Sequence, residues 1–188
     1  GTDGQVLTSG GAGAAVAWET AGGGLQFIGT AIANDSASIT VEDLDTSVYE
    51  QFMVLLTDLL PATDGDQPWI RFGDSGGVDS GASDYSNTST RLQGASESYI
   101  RDDSDAQIRI GPASIEEFSA TAWVLVGDLT NKTSIFGQGM TAQSDGRTEL
   151  TGFAGSRLTN LTLTQIQFLF STGNITTGRM TVYGIVHA

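Results

Sequence analysis

The sequence predicts an all-β fold, a jelly-roll-like antiparallel β-sandwich, on three observations. Apolar residues recur in short runs of period two, each closed by Gly, Asp, Asn or Pro. The 25 glycines against 3 prolines supply turns without the composition of collagen or of a proline-rich linker. Only one stretch, Pro112 with Ser114-Ile115-Glu116-Glu117, offers a helix start, and it suffices for a single turn.

Residues 48–72 hold the strongest apolar run. Alternation puts Tyr49, Gln51, Met53 and Leu55 on one face and Phe52, Val54 and Leu56 on the other. Both faces are apolar, which predicts an interior strand covered on two sides. Pro61, Asp64-Gly65-Asp66 and Pro68 end the run, and Trp69-Ile70-Arg71-Phe72 suits a returning strand, so the stretch reads as a central hairpin. Before it, LQFIGTAI carries Leu25, Phe27 and Ile32, and SITVEDL turns Ile39 and Val41 inward.

After the hairpin, residues 73–104 form a Gly/Ser/Asp/Thr tract too long for an ordinary connector, with short edge strands expected near Tyr85 and Tyr99. AQIRI, FSATAWVLV, TSIFGQGM, RTELTGFA, TQIQFLF and GRMTVYGIV complete the strands. About ten strands at spacings of roughly 8–20 residues indicate two packed sheets.

The formal net charge is −14, and Lys132 is the only lysine. Such a surface repels phosphate backbones and anionic lipid, which argues against a nucleic-acid partner. No run approaches the roughly 18 apolar residues of a membrane span, so no membrane insertion is expected. With no cysteine, thiolate metal sites and disulfides are excluded. The chain opens on Gly1 rather than Met, which fits a fragment or a processed chain.

Residues 1–24 differ from the rest. Val6-Leu7 and the cluster ending at Trp18 flank Ser9-Gly10-Gly11-Ala12-Gly13, and a hairpin this small is marginal in water. Something must cover Val6, Leu7, Val16 and Trp18: either the chain's own domain, or copies of the segment packed about a symmetry axis. The pattern from Gly1 to Trp18, with its Gly4-Gln5-Val6-Leu7 core, resembles the neck module of bacteriophage tail-fibre and virion-fibre proteins. That resemblance implies a homotrimeric neck over 1–24, joined by Gly22-Gly23-Gly24 to a C-terminal β-sandwich over 25–188 and to other virion proteins on its N-terminal side. A second resemblance, to a β-domain of phage virion proteins, rests on Leu60-Pro61-Ala62-Thr63-Asp64-Gly65, Gly73-Asp74-Ser75-Gly76-Gly77 and the closing Tyr183-Gly184-Ile185. It implies a virion-surface location without defined chemistry.

Gly73-Asp74-Ser75-Gly76-Gly77 also matches the nucleophile motif of trypsin-like proteases. The only histidine, His187, follows the serine, the wrong order for that family, so the motif reads as a turn and not as a catalytic site. Carboxylates pair at Asp64/Asp66, Asp74/Asp79, Asp102/Asp103/Asp105 and Glu116/Glu117. Two across a cleft would suit a glycan-cleaving enzyme, whereas in turns they cap their own backbone. The run Asp102-Asp103-Ser104-Asp105 supplies oxygen ligands for calcium but lacks EF-hand spacing. No cofactor is expected. Trp69 and Trp123 read as core. Asp84, Tyr85, Asn87, Tyr99 and Asp102 combine aromatic faces with hydrogen-bonding groups and form the candidate glycan-binding set. All five asparagines, Asn34, Asn87, Asn131, Asn160 and Asn174, stand in Asn-x-Ser/Thr form, which keeps a cell-surface glycoprotein as a minor alternative. The expected function is non-enzymatic: a virion structural protein that contacts a host-surface glycan. A glycan-cleaving depolymerase and a ligand-free decoration or stalk protein are the alternatives.

Overall fold

The period-two runs assemble into two packed antiparallel sheets and a separate hairpin. The computed structural model describes residues 5–20, 24–94, 96–113, 116–127, 132–142 and 146–186. His187, Asn131, Gly1 to Gly4, Gly22, Gly23 and the Ser114-Ile115 pair lie outside them. The hairpin joins β1 (Gln5–Ser9) to β2 (Val16–Thr20). The eight-stranded sheet runs β3 (Gly24–Ile32), β15 (Ile175–Val186), β5 (Gln51–Pro61), β11 (Glu117–Leu125), β12 (Ser134–Ala142), β13 (Thr148–Arg157), β8 (Tyr85–Gln93), β9 (Ser96–Asp105). The smaller sheet runs β10 (Ile108–Arg109), β6 (Pro68–Asp74), β14 (Gln165–Phe170), β4 (Ile39–Val41), with β7 (Gly77–Val78) on β6. Among the described residues there is no helix.

The inward half of each alternating strand makes the core. Phe52, Val54, Phe118 and Val124 from the large sheet meet Ile70, Phe72, Ile166 and Phe168 from the small one, and all are fully buried. Each such side chain contributes about 1.5–3 kcal/mol by leaving water. Aromatic pairs bridge the gap between the sheets. Phe118 stacks on Phe168 with centroids 6.4 Å apart, and Phe72 meets Tyr85 edge-on at 6.1 Å. Inward positions on β15 and β12 are partly glycine because large neighbours occupy the space. A Cβ on Gly184 would lie 2.5 Å from the Tyr49 ring.

Three expectations need correction. The stretch 48–72 is not a hairpin: β5 belongs to the large sheet and β6 to the small one. Residues 62–67 are long enough to cross the roughly 10 Å between packed sheets. Asp66 fixes that crossing, buried and accepting the hydroxyls of Ser171 (3.1 Å) and Thr172 from the β14–β15 turn. The polar tract 73–104 is not mainly loop. It contains β8 and β9, two long strands, with Ser86, Thr88 and Thr90 of β8 facing outward and, of the two, only β9 at the sheet edge. Trp69 and Trp123 lie only half-buried on outer faces, because their neighbours Ile70 and Val124 take the inward positions.

Candidate functional site: an outer sheet face and its hollow

In the β1–β2 hairpin, Leu7 stands opposite Trp18 and Ser9 opposite Val16. Alternation therefore places Leu7, Val16 and Trp18 on one face and Val6 on the other. All four are exposed, Trp18 by 53% and Val16 by 61%.

The outer face of the large sheet can be traced strand by strand from its register. One row runs Phe27, Tyr183, Met53, Trp123, Phe136, Ala154, Thr88, Arg101 from edge to edge. The next runs Thr30, Thr181, Leu55, Thr121, Gln138, Gly152, Thr90, Tyr99. Bulky apolar side chains thus crowd the β3–β12 part of the first row. Small and hydroxyl-bearing residues fill its β13–β8 end and the row beside it.

Where the first row shrinks to Ala154 and Thr88, the surface dips into an open hollow of about 580 Å³. Ser86, Thr88, Ser134 and Ser156 give it hydroxyls, and Phe136 gives it an apolar wall. Arg101 and Asp103 of β9 line the opposite side. Their side chains form a two-pronged pair, Nε to Oδ1 at 3.2 Å and Nη2 to Oδ2 at 3.0 Å, and both are largely exposed. The Asp103 carboxylate holds the Arg101 guanidinium above its ordinary pKa, through the hydrogen bonds first and charge second. Two of the five N–H groups of Arg101 are used in this pair, so the rest are free to donate to a ligand.

The five residues singled out as a glycan-binding set do not come together. Tyr85 is fully buried, and its hydroxyl accepts the Phe72 amide at 2.9 Å and donates toward the Phe72 and Asp79 carbonyls. Asn87, also buried, faces between the sheets. Asp84 is held by Arg157 at 3.1 Å, and the same arginine binds Asp79 at 2.9 Å and lies 5.5 Å from the Tyr85 ring centroid. Asp102 contacts Arg109, which is bound more closely by Asp105 at 2.8 Å. Tyr99 is the exception. It is 73% exposed on the outer face, two positions along β9 from Arg101.

Alternation on β8 explains both outcomes: Tyr85, Asn87 and Ser89 point inward, while Ser86, Thr88 and Thr90 point outward. Sequence reasoning missed Thr88, Arg101, Asp103 and Phe136. The signal was the alternating Ser/Thr pattern of residues 86–90, hidden because the tract was read mainly as loop. Of the paired carboxylates, Asp79, Asp102, Asp103 and Asp105 contact arginines, Asp66 accepts hydroxyls, and Asp74 accepts the Gly76 amide at 2.7 Å within the β6–β7 turn. Among the described residues, no group of three or more acidic or histidine side chains is placed to hold a metal ion. Nor is any helix long and apolar enough to cross a membrane. Comparison with protein-family models and with curated proteins finds no match to this chain.

Proposed function

We propose that the chain is a non-enzymatic structural protein of a phage virion, the distal part of a fibre in which three copies join through the β1–β2 hairpin and the sandwich meets a host-surface glycan. The observation that carries the reading is the exposed Leu7–Trp18 pair on a hairpin too small to bury it. Association of copies is the usual remedy for such a strip, and closed symmetry its usual form. The resemblance of the Gly1–Trp18 pattern, with its Gly4-Gln5-Val6-Leu7 core, to phage neck modules supports the choice of a trimer.

Glycan contact is assigned to the hollow. Its hydroxyls, the Arg101–Asp103 fork and Phe136, with Tyr99 along the same face, offer hydrogen bonds beside apolar surface, the combination a sugar ring needs. With a net charge of −14 the protein repels acidic sugars, so the ligand is a neutral saccharide. Asp103 is the one carboxylate among the residues lining the hollow, and Arg101 holds it. That favours retention of a saccharide over hydrolysis, which uses two carboxylates. The test is a panel of immobilised neutral glycans probed with the full chain and with Tyr99→Ala/Arg101→Ala. Binding lost in the variant supports the reading. A wild-type chain that binds none of the panel points to a ligand-free decoration protein.

A further inference from the structure

We propose that the outer face of the large sheet is itself a contact surface between copies of this chain, so that the heads hold the assembly together as well as the hairpin does. The inference rests on the oligomeric reading above and adds a second surface to it.

β5 carries the first argument. It is an interior strand between β15 and β11, and its sequence is apolar on both faces. Phe52, Val54 and Leu56 are buried on the inner face, while Met53 and Leu55 are only half-covered on the outer one. A strand built for two-sided burial has one side open to water. Phe27 (63% exposed) and Phe136 (46%) extend that open apolar row across neighbouring strands, and Ile32 (73%) and Met140 (56%) lie two rows away on the same face. Contiguous apolar surface of this kind on a soluble domain marks an interaction site.

Charge identifies the occupant. In the four rows from Leu125 to Ser119, the charged outward residues are Glu97, Arg101 and Asp103 on the edge strand β9, Arg179 on β15, and Asp58 at the β5 bulge beside Ser119. The outward positions of β11, β12 and β13 in those rows carry none, and β5 carries only Asp58. A second copy also bears −14, so approach through most surfaces is repulsive, whereas on this face the few charges of opposite sign nearly cancel. A basic partner would be drawn to the acidic surfaces instead, and an anionic lipid surface would be repelled. The relief also suits identical copies. The ridge Phe27–Tyr183–Met53–Trp123 runs beside the furrow Thr121–Gln138–Gly152, and nothing lies within 4 Å of a Cβ added to Gly152. Ridge of one copy can seat in furrow of the next.

The area is sufficient. The five strands from β3 to β12, about 4.8 Å apart and about nine residues long at about 3.3 Å per residue, give a face of roughly 700 Å². A standard-size interface takes roughly 600–1,000 Å² from each partner. The hollow opens on the far side of Phe136, over β13, β8 and β9, where a glycan can still reach it.

The test uses the full chain, compared with Ile32→Glu/Met140→Glu, two exposed positions, the variant's fold being checked by circular dichroism. Sizing and hydroxyl-radical footprinting are read together. In the assembled wild type, Phe27 and Trp123 should oxidise markedly more slowly than in the variant, and the variant's dissociation constant should rise at least about tenfold. If the wild type is trimeric but Phe27 and Trp123 oxidise equally fast in both proteins, the head contact is refuted and the hairpin assembly stands. A wild type that sizes as a monomer removes both.

Discussion

The guanidinium of Arg157 lies 5.5 Å from the centroid of the Tyr85 ring, over a phenol that is completely enclosed between the two sheets. Arg157 comes from β13 and also binds Asp79 and Asp84, so one side chain draws two acidic loop residues onto the end of the core. Burial, aided by the Asp79 and Asp84 carboxylates, pushes the Tyr85 hydroxyl above the usual tyrosine range, against the opposing effects of the Phe72 hydrogen bond and Arg157.

A pH prediction follows from that direction. An unfolded chain releases its tyrosine proton near pH 10, whereas the folded protein retains it to higher pH. The stability linked to this group is therefore complete below about pH 10 and is lost as pH rises toward the folded value, at up to about 1.4 kcal/mol per pH unit. Tyr85→Phe should cost about 1–3 kcal/mol at neutral pH, because the Phe72 amide loses its acceptor. The gap between wild type and variant should then narrow above about pH 10. Urea unfolding at neutral and alkaline pH measures both. A gap that stays constant contradicts the buried-phenol assignment.

Gly184 and Tyr49 are coupled by contact. Gly184→Ala drives a methyl into the Tyr49 ring and disturbs the bond from the Tyr49 hydroxyl to Gln26, 2.9 Å in the native fold. The expected loss is about 1–3 kcal/mol. Pairing the change with Tyr49→Ala should restore part of it relative to the sum of the single costs, since the two sites share one space. Additive losses in the four-member thermal-unfolding cycle would show that the contact does not limit position 184.

Asp66→Ala removes the acceptor shared by the Ser171 and Thr172 hydroxyls and frees the crossing from β5 to β6. A loss of about 1–3 kcal/mol is expected, together with faster amide exchange in residues 62–67. Unchanged exchange there would mean that the crossing is held by something other than this carboxylate.

Tyr99→Ala and Arg101→Ala should each leave stability within about 0.5 kcal/mol, because both side chains are largely exposed and the Arg101–Asp103 pair is a surface ion pair. Glycan binding should fall in both. A variant that unfolds early would show that these residues belong to the scaffold rather than to a binding surface.

The strands were legible wherever one face is apolar and the other polar: Ile39 and Val41 face the core as alternation requires. The partner of a strand was less legible. Nothing in Asp64-Gly65-Asp66 distinguishes a hairpin turn from a crossing between sheets, since the difference lies in whether Asp66 meets Ser171 and Thr172, distant in sequence. Tyr85 was misplaced for a related reason. It follows Asp84 in a polar tract, and only the incoming Arg157 shows why both are drawn in. The hollow was not legible because its members come from β8, β9, β12 and β13, and only register brings Thr88 beside Ala154 and Arg101.

Sedimentation equilibrium of the full chain across a range of concentrations tests the proposed assembly most directly. The expected mass is three times the 19.6 kDa of one chain, falling toward a single chain only on dilution. A particle of 19.6 kDa that persists at high concentration, with Trp18 and Phe27 fully open to solvent-borne quenchers, would contradict it.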